Sequence, residues 1–282
     1  MNRRKLLKRA AGATIALGLG TVGYTWRFEP HWPQVVRREL RIDRLSDALV
    51  GKRMVQLSDL HIGPIVDDAY LVRTLRSVSA LQPDIIVLTG DLITYDNDRQ
   101  IDQAATVLGQ LKLGRLATVA ILGNHDYGRR WREPRVADRL TQKLASLGID
   151  VIRNEQRWIE GLQILGLEDV WGPRFAPQKA LAHYDPTAPA LALCHNPDVA
   201  DLPVWGAFRG WILSGHTHGG QCKPPLLAPP ILPVTNKKYS SGAFELGAGR
   251  SLYVNRGLGY NWRVRFNVRP EVTLFTLVRG AQ

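Results

Sequence analysis

The chain is 282 residues long, 45% hydrophobic and 22% charged, which excludes a disordered or fibrous polymer and favours one large folded domain over two small ones. Its formal net charge of +12 suits an anionic substrate, an anionic membrane face or a solvated basic surface. No stripe of basic residues interleaved with aromatics stands out, so nucleic acid is not the leading partner.

The chain opens on Arg3, Arg4, Lys5, Lys8 and Arg9, followed by a Gly- and Ala-rich apolar stretch from Ala10 to Tyr24. A basic cluster before an apolar stretch reads as a targeting segment. Arg3-Arg4 with Leu6, Leu7 and Lys8 behind it is similar to a twin-arginine export signal, with Asn2 where Ser or Thr is commoner. The stretch is shorter than the roughly 20 residues that cross a bilayer, and no clean Ala-x-Ala site follows it. An ordinary secretory signal and an uncleaved anchor are the alternatives. On each reading residues 1–33 are a signal or anchor plus linker, and residues 34–282 are a folded domain outside the cytoplasmic membrane, periplasmic or anchored.

Val35 to Ile42 alternates apolar and charged residues as a half-buried strand does. From there one arrangement recurs, an apolar run ending in a polar cluster. Arg53 to Leu57 leads into Ser58-Asp59-Leu60-His61, Ile85 to Leu88 into Thr89-Gly90-Asp91, and Thr118 to Leu122 into Gly123-Asn124-His125-Asp126. Further on, Ala190 to Leu193 leads into Cys194-His195-Asn196-Pro197, and Trp211 to Leu213 into Gly215-His216-Thr217-His218-Gly219-Gly220. Helical spacing of Leu71, Val72, Leu75, Val78 and Leu81 predicts a helix capped by Asp67 or Asp68. That of Val136, Leu140, Leu144 and Leu147 predicts another, between Pro134 and a stop at Gly148. Short strands are expected at Leu162 to Leu165, Ser251 to Asn255 and Val272 to Val278. Pro224 to Pro233 is too poor in N–H donors for a central strand and reads as a loop. Strands interleaved with helices imply an α/β sheet architecture with helices outside.

In open α/β sheets ligands collect at the carboxyl ends of strands, where every one of these clusters falls. Asp59, His61, Asp91, Asn124, His195, His216 and His218 are thereby expected within reach of one another. Flanking glycines, which reach φ > 0 without steric cost, are expected to let His216 and His218 bend toward one point. Oxygen and imidazole donors without thiolate suit Mn, Fe or Zn. The set is too large for one tetrahedral ion and right for two ions sharing a carboxylate. Because ligating histidines are neutral, Asp59 and Asp91 leave the pair of divalent ions with excess positive charge. A bridging hydroxide and a phosphate ester would supply the missing negative charge. Cys194 and Cys222 are the only cysteines. A disulfide between them is open, as is metal ligation, but Cys194 ends an apolar run and reads as a buried free thiol.

Asp59-x-His61, Gly90-Asp91, Gly123-Asn124-His125-Asp126, His195 and Gly215-His216-x-His218 resemble, in order, the motif set of the calcineurin-like metallophosphoesterase superfamily. Ser58-Asp59-Leu60-His61, Ser214 to Gln221, Gly257-Leu258-Gly259 and Arg269-Pro270-Glu271 resemble its bacterial YaeI/YkuE-type phosphodiesterase subgroup, whose members are commonly exported or membrane-associated. The resemblance implies a four-layered α/β/β/α sandwich. It also implies one ion held by Asp59, His61, Asp91 and His218, and another by Asp91, Asn124, His195 and His216, with Asp91 bridging. His125 would sit over the phosphate to stabilise the transition state or protonate the leaving oxygen, and Asp126 would orient its imidazole. His31 and His183 are expected to be surface residues and the tryptophans ordinary core or surface aromatics, with flanking of a substrate by Trp131, Trp171 or Trp262 as the alternative.

The reading is a two-metal phosphoesterase acting on a phosphodiester or monoester. A second reading is hydrolysis of a lipid-linked pyrophosphate of the UDP-2,3-diacylglucosamine type, as in a related branch of the superfamily. A third is a non-catalytic envelope-binding protein that keeps the fold.

Overall fold

The apolar runs become strands because they are covered on both sides, the condition under which a strand need not alternate with polar residues. The computed structural model describes residues 3–280; Asn2 of the export motif lies outside them. Helix α1 (Arg3–Gly23) leads through a π-helical turn (Tyr24–Phe28) and a 3-10 turn (Glu29–His31) into β1 (Gln34–Ile42). There follow β2 (Arg53–Leu57), α2 (Asp68–Val78), β3 (Ile85–Thr89), α3 (Arg99–Leu108), β4 (Ala117–Ile121), α4 (Pro134–Ala145) and β5 (Asp150–Val151). Next come β6 (Glu155–Ile159), β7 (Leu162–Gly166), a short α5 (Pro177–Leu181), β8 (Ala190–Leu193) and β9 (Gly210–Ser214). The chain ends with β10 (Gly242–Gly247), β11 (Arg250–Val254) and β12 (Glu271–Arg279).

These strands form two six-stranded sheets, ordered β1-β12-β2-β3-β4-β5 and β10-β11-β9-β8-β7-β6. In the first, β2 through β5 are parallel; in the second, β7, β8, β9 and β11 are parallel and β6 and β10 close the edges antiparallel. Between the sheets lie Met54, Ile85, Val87 and Val119 from one and Ile164, Leu191, Leu193 and Leu213 from the other. The alternate residues Val55, Leu57, Ile86 and Leu88 face outward onto Leu71 and Leu75 of α2, Ile101 of α3 and Leu140 of α4. On the far side Ala192, Ile212 and Leu252 pack on Ala180, Val199 and Trp205. The expected α/β/β/α layering is thus present, thinner on the second face, where α5 and turns stand in for long helices.

Local signals hold where they rest on named groups. Asp67 caps α2, its carboxylate accepting the N–H groups of Ala69 at 2.8 Å and Tyr70 at 3.3 Å. Gly148 follows α4 at φ 79°. Pro224 to Pro233 is irregular, as expected. Residues 24–33, expected as a mere linker, are instead docked. The Glu29 carboxylate is buried and accepts the Val268 N–H at 2.6 Å, the Thr25 carbonyl accepts the Arg265 N–H at 3.0 Å, and the Arg269 guanidinium lies 3.8 Å from the Trp32 ring centre. Before them α1 stands clear of the body: Ile15, Leu17, Leu19 and Val22 are exposed and nothing lies within 4 Å of a Cβ built at Gly12, Gly18 or Gly20. No described helix is long and apolar enough to cross a membrane.

Candidate metal centre

The carboxyl ends of β2, β3 and β4 in one sheet meet those of β8 and β9 in the other. Backbone bonds stitch the loops within each sheet: the Asp59 N–H donates to the Gly90 carbonyl at 2.9 Å, the His61 N–H to that of Asp91 at 3.0 Å, and the Gly215 N–H to that of His195 at 3.0 Å. Side chains join the sheets across the gap. The His216 N–H donates to both Asp59 oxygens at 3.0 Å, His195 Nδ1 donates to the Thr89 carbonyl at 2.7 Å, and Gln56 Nε2 donates to the Ser214 carbonyl at 3.0 Å.

The bends that aim these side chains are made by the candidate donors themselves. Asp59, His61, Asp91, His216 and His218 all have φ between 50° and 70°, where a side chain other than glycine costs about 1–2 kcal/mol. Such strain persists where the surroundings over-determine it, commonly at functional sites. Gly215, expected to supply a left-handed bend, does not adopt positive φ. It is needed for close approach: a Cβ there would collide with Ser58 Oγ and Asp59 Oδ2. Gly219 and Gly220 do take positive φ, at 61° and 79°.

Asp59, His61 and His218 offer ligand atoms within 4.8 Å of one another, and so do Asp91, His195 and His216. His61 Nε2 lies 3.0 Å from His218 Nε2, and His195 Nε2 lies 3.2 Å from His216 Nδ1. Nitrogens bound about 2.1 Å from one ion are about that far apart. Asp91 stands between the groups, its Oδ2 3.0 Å from His195 Nε2 and 3.7 Å from His61 Nε2. The ring nitrogens facing away are mostly committed. His195 Nδ1 donates to Thr89, His216 Nε2 donates to the Pro233 carbonyl at 2.9 Å, and His61 Nδ1 is 2.9 Å from Thr94 Oγ1. Outer bonds of this kind fix the tautomer that leaves a lone pair for a metal. Asn124 is 1% exposed, yet neither Oδ1 nor Nδ2 has a hydrogen-bond partner. A buried amide left unpaired costs about 1–3 kcal/mol, and a cation accepting Oδ1 removes part of that cost. The donors therefore fit divalent metal.

Electrostatics agree. Burial lowers His61 and His216 to about 3 and His218 well below its usual value, so these rings are neutral as ligation requires. Burial raises Asp59 to about 6 against the pull of His195. Asp91 is raised by burial but held well below the usual carboxylate range by His195 and His125, and His195 is correspondingly lifted against its own burial.

His125 is half-buried at the mouth, its N–H donating to Asp91 Oδ1 at 2.9 Å and its ring centre 4.8 Å from that of His61. Asp126 corrects an expectation. Its Oδ1 accepts the N–H groups of Leu92 at 2.9 Å and Ile93 at 3.0 Å, and its Oδ2 accepts that of Gly123 at 2.8 Å. The carboxylate is spent on tying the loop after β3 to the loop after β4, so it braces the backbone that carries Asp91 and Asn124 and does not orient the His125 imidazole.

Three features escape a reading of motifs. Asp169 is 1% exposed, accepts the Trp171 N–H at 2.8 Å on Oδ1 and leaves Oδ2 without a partner. Trp171 in turn sets its edge on His216 at 4.5 Å and stacks on Trp131 at 5.2 Å, which tilts over His125 at 5.7 Å. Expected as ordinary aromatics, these two wall the mouth of the centre. Arg265, fully buried, donates to the carbonyls of Arg256, Gly257, Gly259 and Val268, clamping the loop whose Gly257 abuts Asp59. Both cysteines are free, Cys194 buried with its thiol raised by burial to about 12 and Cys222 half-buried.

A family model described as calcineurin-like phosphoesterase matches residues 52–220. Phosphodiesterase YaeI of Escherichia coli (strain K12) is 32% identical over 285 residues, covering 99% of this chain and 100% of the relative. The uncharacterized metallophosphoesterase YkuE of Bacillus subtilis (strain 168) is 31% identical, covering 98% of each. UDP-2,3-diacylglucosamine pyrophosphatase LpxG of Chlamydia trachomatis is 28% identical, covering 94% of this chain and 95% of the relative.

Proposed function

Since the chain belongs to the calcineurin-like phosphoesterase family and is a metal-dependent phosphohydrolase, we propose that it binds two divalent ions and cleaves a phosphodiester. One ion would be held by Asp59, His61, Asp91 and His218, the other by Asp91, Asn124, His195 and His216. When bound, such ions acidify water and polarise phosphoryl oxygens. The observation that carries the reading is Asp91, whose Oδ2 lies between the two histidine groups. Mn, Fe and Zn all suit these donors.

The chain's own groups complete the chemistry. His125, fixed by its N–H bond to Asp91, presents its ring at the mouth and donates a proton or hydrogen bond to the departing oxygen. Trp131 and Trp171 wall that side of the mouth. Asp126 keeps the two ligand loops in register.

Residues 1–33 are proposed as an export signal or anchor of twin-arginine type and residues 34–282 as the catalytic domain, periplasmic or anchored outside the cytoplasm. A membrane- or envelope-associated phosphate ester, free or lipid-linked, is the substrate class this implies. A second reading, a pyrophosphatase of a lipid-linked sugar nucleotide, is favoured by the likeness to LpxG. Envelope binding without catalysis is not supported, since every donor position of the motif set is filled.

The test is metal content and turnover together. Purified protein loaded with Mn, Fe or Zn is expected to hold two ions per chain and to hydrolyse an aryl phosphodiester, with both lost in Asp91→Ala. Turnover that survives complete chelation would refute the proposal. Faster turnover of a UDP-lipid than of the aryl diester selects the second reading. Fractionation of cells carrying the tagged chain, with Arg3→Lys/Arg4→Lys as control, tests export; an unchanged location in the control rules out the twin-arginine route.

A further inference from the structure

The loop that carries His216 and His218 has a second face. Beside His218 it walls a cavity of about 430 Å³, lined also by Ile231 and Pro233 of the Pro-rich loop and by Trp262 and Val264. Its chemistry is the opposite of the metal centre's, because hydrogen bonds take up the polar atoms of Gln221 and the carbonyls beside it. Gln221 Nε2 donates to the carbonyls of Trp262 at 2.9 Å and Val264 at 2.8 Å, and its Oε1 accepts the Asn261 N–H at 2.9 Å. The Pro233 carbonyl is taken by His216 Nε2. Apolar surface is what remains to face the cavity. The same bonds tie both walls to the ligand loop, which fixes the cavity relative to the metal centre.

Two of its lining residues are apolar and exposed, Ile231 at 61% and Trp262 at 66%, and Leu226 and Leu227 of the same Pro-rich loop are exposed as well. Single exposed apolar residues need no explanation, but a group of them around an apolar cavity marks a binding surface. Trp26, exposed in the turn after α1, has its ring centre 5.2 Å from the Arg263 guanidinium, next in the chain to Trp262. Lys223 follows the lining residue Cys222 in the chain, and Arg263 lies between the lining residues Trp262 and Val264; cations next to apolar residues suit an anionic head group with its chain buried.

We propose that this cavity holds the hydrocarbon chain of the substrate, so that the enzyme acts on phosphate esters carrying a long acyl or alkyl group. The chain lies between Ile231 and Trp262 while the phosphate reaches the centre bordered by His218. This rests on the phosphoesterase reading and names the class of ester that it takes. It assigns a role to the Pro-rich loop, whose donor-poor backbone lines an apolar space without leaving buried N–H groups unpaired.

Cys222 lines the same cavity and reports on it without turnover. Alkylation of Cys222 by iodoacetamide, read by mass spectrometry, is compared in the presence of monomeric dodecylphosphocholine and of glycerophosphocholine. The long-chain compound is expected to protect Cys222 and the short one not, and Ile231→Asp, at a position exposed enough to leave the core untouched, is expected to abolish protection. Equal labelling with both compounds overturns the proposal. In a second arm, phosphodiesters of increasing chain length are expected to show KM falling about fourfold per buried CH₂, a dependence lost in Ile231→Asp while the short aryl diester is turned over as before. A KM independent of chain length also overturns it. Protection of Cys222 with no hydrolysis of any ester upholds the chain site and refutes the phosphoesterase reading instead.

Discussion

Replacing Gly215 by alanine tests whether the centre is as tightly determined as its geometry implies. The added Cβ would overlap Ser58 Oγ and Asp59 Oδ2 and lie 2.9 Å from Ser58 Cβ, whereas carbons pack at about 3.5–4.0 Å. Something must move by roughly 1 Å. Ser58 and Asp59 are fully buried, Ser58 Oγ donates to the Thr89 carbonyl at 3.2 Å, and both Asp59 oxygens accept the His216 N–H. Nothing nearby is slack. Overpacking of this kind costs about 1–3 kcal/mol, which for a chain of this size lowers Tm by about 2–4 °C per kcal/mol. Displacing Asp59 by about 1 Å should cost roughly 10²-fold in kcat. Thermal unfolding in chelator isolates the packing cost, and metal analysis with aryl-diester turnover reads the site. Adding Ser58→Ala removes the Oγ overlap and should restore part of the Tm but little of the kcat, because the Asp59 clash remains. A Gly215→Ala protein with wild-type metal content and turnover would refute this account of how Asp59 is held.

His125→Asn should lower kcat by about 10²–10⁴ with metal content unchanged; loss of metal would make His125 a ligand and not a proton donor. Asp126→Asn should lower both Tm and kcat while the pH–rate profile keeps its shape, since its carboxylate braces backbone; lost activity at an unchanged Tm would contradict that role. Asp67→Ala should cost about 1 kcal/mol near neutral pH. Slight burial raises the Asp67 carboxyl, but the Tyr70 and Ala69 N–H groups hold it below 3.8. The cap's charged contribution is therefore present above the unfolded value and lost as pH falls through the depressed one, so urea melts of variant and parent should converge as the pH is taken below 3.8. Ellman's reagent should titrate Cys222 in the native protein and Cys194 only after unfolding; two fast thiols would show that Cys194 is not buried.

The sequence by itself determined the central strands, helices α2 and α4, and which Asp, His and Asn residues gather at the strand ends. These rest on short-range physics: runs covered on both faces are continuously apolar, amphipathic helices repeat at 3.6 residues, and donors at strand ends follow such runs directly. Helix α3 was not legible, because Ile101, Ala104 and Val107 form a weak apolar face in an otherwise polar stretch. Strand β10 escaped because an edge strand with Gly, Ala and Glu in it carries no core signal. The partition of strands between two sheets, with β1 pairing β12 from the far end of the chain, has no local signature at all.

Only the tertiary structure decided how the site is held. Positive φ at Asp59, His61, Asp91, His216 and His218 is imposed by bonds between loops far apart in sequence. An aspartate beside a histidine reads the same whether its carboxylate meets the ring or, as at Asp126, three backbone amides, two of them from another loop. A buried Arg265 is indistinguishable in sequence from the half-buried arginines around it. An apolar cavity beside His218 needs Gln221 to bind a segment some forty residues away. Each of these depends on which polar groups find partners once water is excluded, and that is settled by the packing of distant segments, where no local pattern reaches.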